Sequence, residues 1–184
     1  QGQLHLDLIK HRIENENNIE MLFEEPKVPY RETITKAAKA EYRHKKQSGG
    51  SGQFGEVHIT IEPYFDDMPE PQGVNIRNKE IEELPWGGKF AFYWCIVGGA
   101  IDNRYATAIK KGIMHEMTEG PLTGSNCQNI RVCIYDGKMH AVDSNDISFQ
   151  LAASHAFRMA FNEAKPQLLE PYYHLEVLCE DNHT

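Results

Sequence analysis

Leu6, Ile9 and Ile13 recur at three- and four-residue spacing among Lys10, Arg12 and Glu14, which predicts a short amphipathic helix over 4–16. A brief strand is expected over 19–23, punctuated by Glu24-Glu25-Pro26. From Val28 the chain reads as extended, through Thr33 and Thr35 into a polar run that reaches Ser48. There it enters a glycine-rich loop, Ser48-Gly49-Gly50-Ser51-Gly52-Gln53-Phe54-Gly55. Val57, Ile59 and Ile61 then alternate with His58, Thr60 and Glu62, the pattern of a half-buried strand. Residues 63–88 carry prolines with Asp66, Asp67, Glu70, Glu80, Glu82 and Glu83 and read as a solvated surface excursion.

A nearly continuous apolar strand follows over 90–97, closed by Gly98-Gly99. Tyr105, Ile109, Ile113 and Met117 mark a helix whose outer face holds Lys110, Lys111 and Glu116 and which ends near Gly120-Pro121. Ile130, Val132 and Ile134 face inward on a strand that runs into Asp136-Gly137, a two-residue hairpin signal, with a return strand over 138–142. Asp143 or Ser144 is the expected N-cap of a helix over 145–164, with Asp146 in its first turn. Its alanines, Ala152, Ala153, Ala156 and Ala160, permit close approach to a sheet. Pro166 ends the helix, and Tyr173, Leu175, Val177 and Cys179 alternate as a last strand. From residue 28 the order is β, β, β, α, β, β, α, β, an α+β domain with its helices on one face of a sheet and no internal repeat.

The 184 residues are 40% hydrophobic and 25% charged, enough for one compact domain or one domain with pieces of its neighbours. The longest apolar stretch falls short of the roughly 20 residues a membrane span needs, and Gln1-Gly2-Gln3-Leu4-His5 lacks the layout of a secretion signal. A soluble, cytoplasmic protein without membrane contact is expected. The chain begins without Met, which fits a piece of a longer protein. Cys95, Cys127, Cys133 and Cys179 form no C-x-x-C, so buried neutral thiols are expected rather than a zinc knuckle or a disulfide framework. A net charge of -8 excludes coating nucleic acid by bulk charge and confines any such contact to a local patch. The one basic stretch holds Lys36, Lys39, Arg43, Lys45 and Lys46.

Gly50-Ser51-Gly52-Gln53-Phe54-Gly55-Glu56-Val57 matches the glycine-rich loop that covers ATP phosphates in protein kinases. A nucleotide-binding enzyme is therefore the alternative of another class. It is disfavoured because neither H-R-D nor D-F-G occurs, and the only A-I-K, Ala108 to Lys110, lies in a predicted helix. A dinucleotide fingerprint would open a helix, whereas this one opens a strand. No pair of the nine histidines sits with carboxylate or cysteine at ligand spacing on one predicted element, so no metal site is expected. A Cys95, His140, Asp143 triad fails because Cys95 lies in an apolar strand, where a thiol is inert packing.

Several segments together resemble the bacterial elongation factor G family, specifically its domain IV. Gly2-Gln3-Leu4-His5-Leu6-Asp7 resembles G-E-L-H-L-E, and Val28-Pro29-Tyr30-Arg31-Glu32-Thr33-Ile34 resembles V-A-Y-R-E-T-I. The run from Gln47 to Gly55 resembles Q-S-G-G-R-G-Q-Y-G, and Ile96-Val97-Gly98-Gly99 resembles I-V-G-G. The ten residues from Tyr135 to Ser144 resemble Y-D-G-S-Y-H-D-V-D-S, and Leu168-Leu169-Glu170-Pro171 resembles L-L-E-P. The resemblance implies that 1–26 is the C-terminal half of a ferredoxin-like domain III, 27–166 is domain IV, and 167–184 starts domain V. It implies a fold similar to the second domain of ribosomal protein small-subunit five, with a left-handed βαβ crossover. GTP and magnesium would belong only to a GTPase domain absent here, so the fragment itself would be no enzyme and need no cofactor.

The family's domain IV resembles the anticodon arm of tRNA and enters the ribosomal A site, on the side of the small subunit, while tRNA and mRNA advance. The implied partners are the small-subunit decoding region with its ribosomal RNA, tRNA and mRNA. By position, the tip comprises Ser48 to Gly55 as spelled above, then Gly98, Gly99, Asp102 and Asn103, and finally His140, Asp143 and Ser144. His140 matches the position where archaeal and eukaryotic relatives carry a modified histidine. An imidazole there can stack on a base or donate to a 2′-hydroxyl. Lys36, Lys39, Arg43, Lys45 and Lys46 would lie near RNA phosphates along the strand to the tip. Three departures, Ser51 for Arg, Asp102-Asn103 for Pro-Lys and Asn145-Asp146 for Ser-Glu, fit a diverged paralogue acting in ribosome recycling or protection. The parent is expected to be monomeric, while the fragment is expected to self-associate through the strand edges over 19–23 and 173–179.

Overall fold

The computed structural model describes residues 2–47 and 52–176. Helix α1 (Gln3–Asn17) forms where the apolar spacing predicts it, yet none of its residues is buried. The expected strand over 19–23 is absent: the segment forms no regular element and pairs with nothing among the described residues. A short apolar run makes no strand without a ladder partner.

The extended run after Val28 divides into two strands in two different sheets. Strand β1 (Arg31–Ile34) pairs antiparallel with β7 (Pro166–Leu169), so the chain enters and leaves the domain through one small ribbon. Strand β2 (Ala38–Lys46) begins a five-stranded sheet ordered β2-β3-β6-β5-β4. Its members are β3 (Gln53–Pro63), β4 (Asn78–Glu83), β5 (Lys89–Trp94) and β6 (Ile130–Lys138). All pairs are antiparallel except β5 with β6, which run parallel and are joined through helix α2 (Ala106–Thr118).

Helix α3 (Asp146–Glu163) lies on β2 and β3, and α2 packs beside it. The predicted alanines Ala152, Ala153, Ala156 and Ala160 are fully buried against Val57, Ile59 and Ile61, which are equally buried. Small side chains on the helix and β-branched ones on the strand let the two layers approach closely. On the other face, Tyr64, Val74 and Ile76 of the 63–77 segment cover Ala91, Tyr93, Cys95 and Cys133. Arg131, almost wholly buried, secures that cover by donating to Glu62 at 2.8 Å and to the Pro69 carbonyl at 2.8 Å.

Four expectations change. The acidic excursion contains strand β4: every residue of it is exposed, but the backbone pairs with β5, and Lys110 on α2 clasps Glu80 and Glu82. Asp136-Gly137 makes no hairpin, because β6 continues through both residues opposite His58 and Val57, with Tyr135 extra in a bulge. Gly137 is required there by crowding, since a Cβ would strike the Glu56 carbonyl and the Ile101 side chain. No return strand follows, and residues 141–143 turn instead. The N-cap of α3 is Asn145, whose side chain accepts the Ser148 amide at 2.8 Å. Finally, residues 171–176 form no strand, and Val177 and Cys179 lie outside the described residues. Among the described residues, the edge strands of the main sheet are β2 and β4.

Candidate functional site

The start of β3 and the two other loops singled out in the sequence meet at one end of the sheet, where β6 runs out. The Phe54 amide donates to the Asp143 carbonyl at 2.9 Å, and the Ser144 hydroxyl donates to the Phe54 carbonyl at 2.9 Å. Ser144 Oγ also accepts the His140 amide at 2.8 Å, closing the third loop on itself. From the second loop, the buried Tyr105 donates its hydroxyl to the Ser144 carbonyl at 3.0 Å, with its ring 4.5 Å from that of Phe149. These bonds occupy the Ser144 side chain, which therefore does not cap α3.

His140 sits on this lattice with its side chain 55% exposed. Its Nδ1 faces the Val142 and Asp143 amides at 3.3 and 3.2 Å. Two amide donors assign Nδ1 the acceptor role, so Nε2 carries the proton of the neutral ring. The Asp143 carboxylate lies 3.3 Å from Nδ1. The ring centroid stands 6.3 Å from that of Phe54. An exposed imidazole held at one edge and free at the other can donate to an incoming acceptor or stack.

In the second loop, Gly98 and Gly99 have φ of +70° and +73°, a backbone state that side-chain-bearing residues rarely adopt. Asp102 caps the short 3₁₀ turn Asn103–Tyr105 by accepting the Arg104 amide at 3.0 Å. Beside this loop opens a cleft of about 620 Å³, with Arg77 and Asn78 on one wall, Asp102, Asn103 and Met139 also lining it, and Ile96 and Ile101 among its apolar groups. Sequence reading missed Arg77 and Met139, because no local pattern joins the start of β4 to the end of β6.

Gln53, Phe54 and Gly55 belong to β3 rather than to a free loop, while Ser48, Gly49, Gly50 and Ser51 lie outside the described residues. The described part of the glycine motif is not built for phosphate. A Cβ at Gly55 would come within 3.0 Å of the Ser148 backbone, so this glycine admits α3. Gly52 faces the Asp143 carboxylate, 2.8 Å from where its Cβ would be, and a carboxylate there repels a phosphate.

The basic residues do not form one patch. Lys39 and Lys46 are seven strand positions apart, roughly 23 Å at about 3.3 Å per residue, and Lys36 lies in the turn before β2, its amide on the Ala164 carbonyl. Arg43 is bonded to the almost buried Glu56, and the Lys39 ammonium lies over the Tyr135 ring at 5.6 Å. Burial pushes the Glu56 carboxyl up, but hydrogen bonds from Arg43 and His58, with the Arg43 and Lys138 charges, hold it below the usual range. Only Lys45 and Lys46 of the stretch are exposed at the tip end without an ion pair among the described residues.

The opposite end is built around a residue that sequence reading treated only as part of a motif. Glu32, fully buried in β1, receives the Leu122, Thr123 and Ser125 amides and the Thr123 hydroxyl. Arg31 and Thr33 beside it donate to the Trp86 and Gln128 carbonyls at 3.0 Å each. Burial, with the charges of Glu32 and Glu116, raises the nearby Cys127 thiol and keeps it neutral. Cys95 lies buried in the second cluster with Cys133, on the face away from α3, so no nucleophilic triad forms with His140. Among the described residues no three His, Cys, Asp or Glu side chains are grouped to hold a metal ion, and no helix is long and apolar enough to cross a membrane.

The family model for elongation factor G, domain IV, matches residues 26–79 and 77–165. The chain belongs to the elongation factor G domain IV family. It is 39% identical over 180 residues to an elongation factor G-like protein of Thermotoga maritima, covering 98% of this chain and 23% of that protein. Over 170 residues it is 42% identical to elongation factor G 1 of Syntrophus aciditrophicus, covering 92% of this chain and 21% of that protein. A crystal structure of a Thermus thermophilus protein superposes with a TM-score of 0.73 at 37% identity, over 91% of this chain and 22% of that one. The chain thus spans less than a quarter of the curated relatives cited. Its domain IV fold is the mixed α+β sheet described above, with the joined loops at one end and the Glu32 anchor at the other.

Proposed function

We propose that this chain is the ribosome-entering part of a translational GTPase. Its looped end docks in the small-subunit decoding region, against ribosomal RNA, tRNA and mRNA, and promotes the movement of tRNA and mRNA during protein synthesis. The observation that carries the reading is the fastening of the start of β3 and the second and third loops into one unit through Phe54, Asp143, Ser144 and Tyr105, with His140 left exposed on it. A unit that acts against RNA needs its contact groups positioned before contact, and hydrogen bonds between its segments do that at little entropic cost.

In this reading residues 1–26 complete a ferredoxin-like domain III and 167–184 begin domain V. The exposed apolar side chains of α1 and of the 172–175 stretch, Leu4, Leu8, Tyr172 and Leu175 among them, then face those domains. GTP and magnesium act in the GTPase domain of the full-length protein, which is cytoplasmic. The test is single-round mRNA translocation on pre-translocation ribosomes by the full-length protein, wild type against His140→Ala, with ribosome splitting measured in parallel. Slowed translocation with GTP turnover retained supports the reading.

A second reading, a paralogue acting in recycling or ribosome protection, is favoured by one specific observation. Asp102-Asn103 stands in the second loop where the family resemblance puts Pro-Lys, and Asp102 is committed to capping the turn. Ribosome splitting by the wild type without mRNA movement would select that reading.

A further inference from the structure

The cleft beside the looped end is not accounted for by the joining of the loops, and its chemistry is mixed in a telling way. Arg77 at its rim is exposed and forms no ion pair among the described residues. The Gly98 and Gly99 backbone is exposed too, and a Cβ at either position would meet nothing within 4 Å. Neither amide finds a protein acceptor among the described residues. Asn103 brings a planar amide and Asn78 a second, whose NH₂ also donates to Glu80 at 3.2 Å, while Met139, 44% exposed, offers a soft apolar surface. The one carboxylate lining the cleft, Asp102, is engaged with the Arg104 amide and lies 4.0 Å from its guanidinium.

A guanidinium and two free amides suit a phosphate. Side-chain amides read the edge of a base, and an apolar wall takes its face. We propose that this cleft holds one unstacked nucleotide of single-stranded RNA, with its phosphate at Arg77 and the Gly98-Gly99 amides and its base between Met139 and the asparagines. The proposal rests on the RNA-facing reading above but assigns a distinct subsite, whose lining does not include His140. Double-stranded RNA keeps its bases stacked and cannot present one. A free nucleoside monophosphate offers the same chemistry without neighbouring phosphates, so it binds more weakly.

The experiment is a titration of the ¹⁵N-labelled 184-residue chain with hexaadenylate, with a ten-base-pair RNA duplex and with AMP, read by amide shifts. Hexaadenylate should move the Gly98, Gly99 and Asn103 resonances, with the duplex without effect there and AMP at least several-fold weaker. Arg77→Gln should weaken hexaadenylate binding about ten-fold at low salt and make the plot of log affinity against log salt shallower by about 0.7. Shifts confined to 53–55 and 140–146 would overturn the cleft while leaving the RNA-facing end intact. Equal response to the duplex, or AMP as tight as hexaadenylate, would overturn the single-stranded RNA assignment. No shift at any residue would also overturn it, and the docking reading would then stand or fall on its own ribosome assay.

Discussion

Replacing Glu32 by Gln asks whether the end of the domain opposite the loops is organised around a charge. Oε1 accepts the Thr123 amide at 2.7 Å, the Thr123 hydroxyl at 2.9 Å and the Ser125 amide at 3.0 Å, and Oε2 accepts the Leu122 amide at 2.9 Å. Every one of these partners donates, so a glutamine must aim its NH₂ at a buried donor. The cheaper orientation puts the NH₂ at the Oε2 position, where the Leu122 amide loses its acceptor and the weak Cys127 thiol donor, 4.0 Å away, has to turn. Losing that charge-assisted bond and stranding the amide costs about 2 kcal/mol. Weakening the other three bonds from charged to neutral acceptors adds about 1 kcal/mol together. For a chain of this size, about 3 kcal/mol lowers the melting temperature by roughly 6–12 °C.

The assay is thermal unfolding followed by far-ultraviolet dichroism, with Glu119→Gln as the isosteric control on an exposed side chain. E32Q should melt well below wild type, and the control should not. If E32Q melts within about 2 °C of wild type, the convergence of donors on Glu32 contributes no net stability and the argument for a charged anchor is wrong.

Other outcomes follow from the same geometry. Gly137→Ala should cost about 2 kcal/mol in urea denaturation, because its Cβ has to displace Ile101 or the β3 backbone; a neutral result would mean that the bulge relaxes freely. Tyr105→Phe removes the bond to Ser144 and should cost about 1 kcal/mol, with faster amide exchange at Phe54. Unchanged exchange would show that the loops are joined without Tyr105. Because Glu56 is held low in the fold, its stabilising effect is complete above about pH 4.5 and is lost as pH falls through the lower folded value. Arg43→Met should therefore flatten the acid limb of the stability curve, and an unaltered limb would remove this pair from the account.

Legibility in the sequence followed the strength of the burial signal. The alternation of Val57, Ile59 and Ile61 and the periodicity of Ile109, Ile113 and Met117 located β3 and α2, because those side chains are fully buried and little else could satisfy them. Strand β4 was illegible for the opposite reason: Asn78–Glu83 buries nothing and is held by backbone pairing to β5 and by Lys110, neither of which leaves a local pattern. Asp136-Gly137 misled because a glycine selected for close approach reads like one selected for a turn. Asp143 and Ser144 misled as caps because their bonding partners, Phe54 and His140, include one about ninety residues distant, beyond any sequence window. Clustering of the three loops was legible only through the family resemblance, since spacing along the chain says nothing about which loops share an end.

Charge at the looped end decides what kind of contact it can make. Arg43 is neutralised by Glu56, with Lys138 4.0 Å from the same carboxylate. Arg104 donates to the Tyr105 hydroxyl, lies over that ring, and approaches Asp102. Three cations there, Lys45, Lys46 and Arg77, carry no ion pair among the described residues, against the exposed carboxylates of Asp102, Asp136 and Asp146. If each neutralises one phosphate of a single strand, the slope of log affinity against log salt is only about -2. Such a surface gains little from attraction at a distance and is repelled if it arrives in the wrong register, because the remainder of the chain is acidic. Affinity must then come from close fit: bare glycine backbone, an exposed imidazole edge and an apolar cleft wall, all of which act only at contact and all of which depend on the loops being joined beforehand.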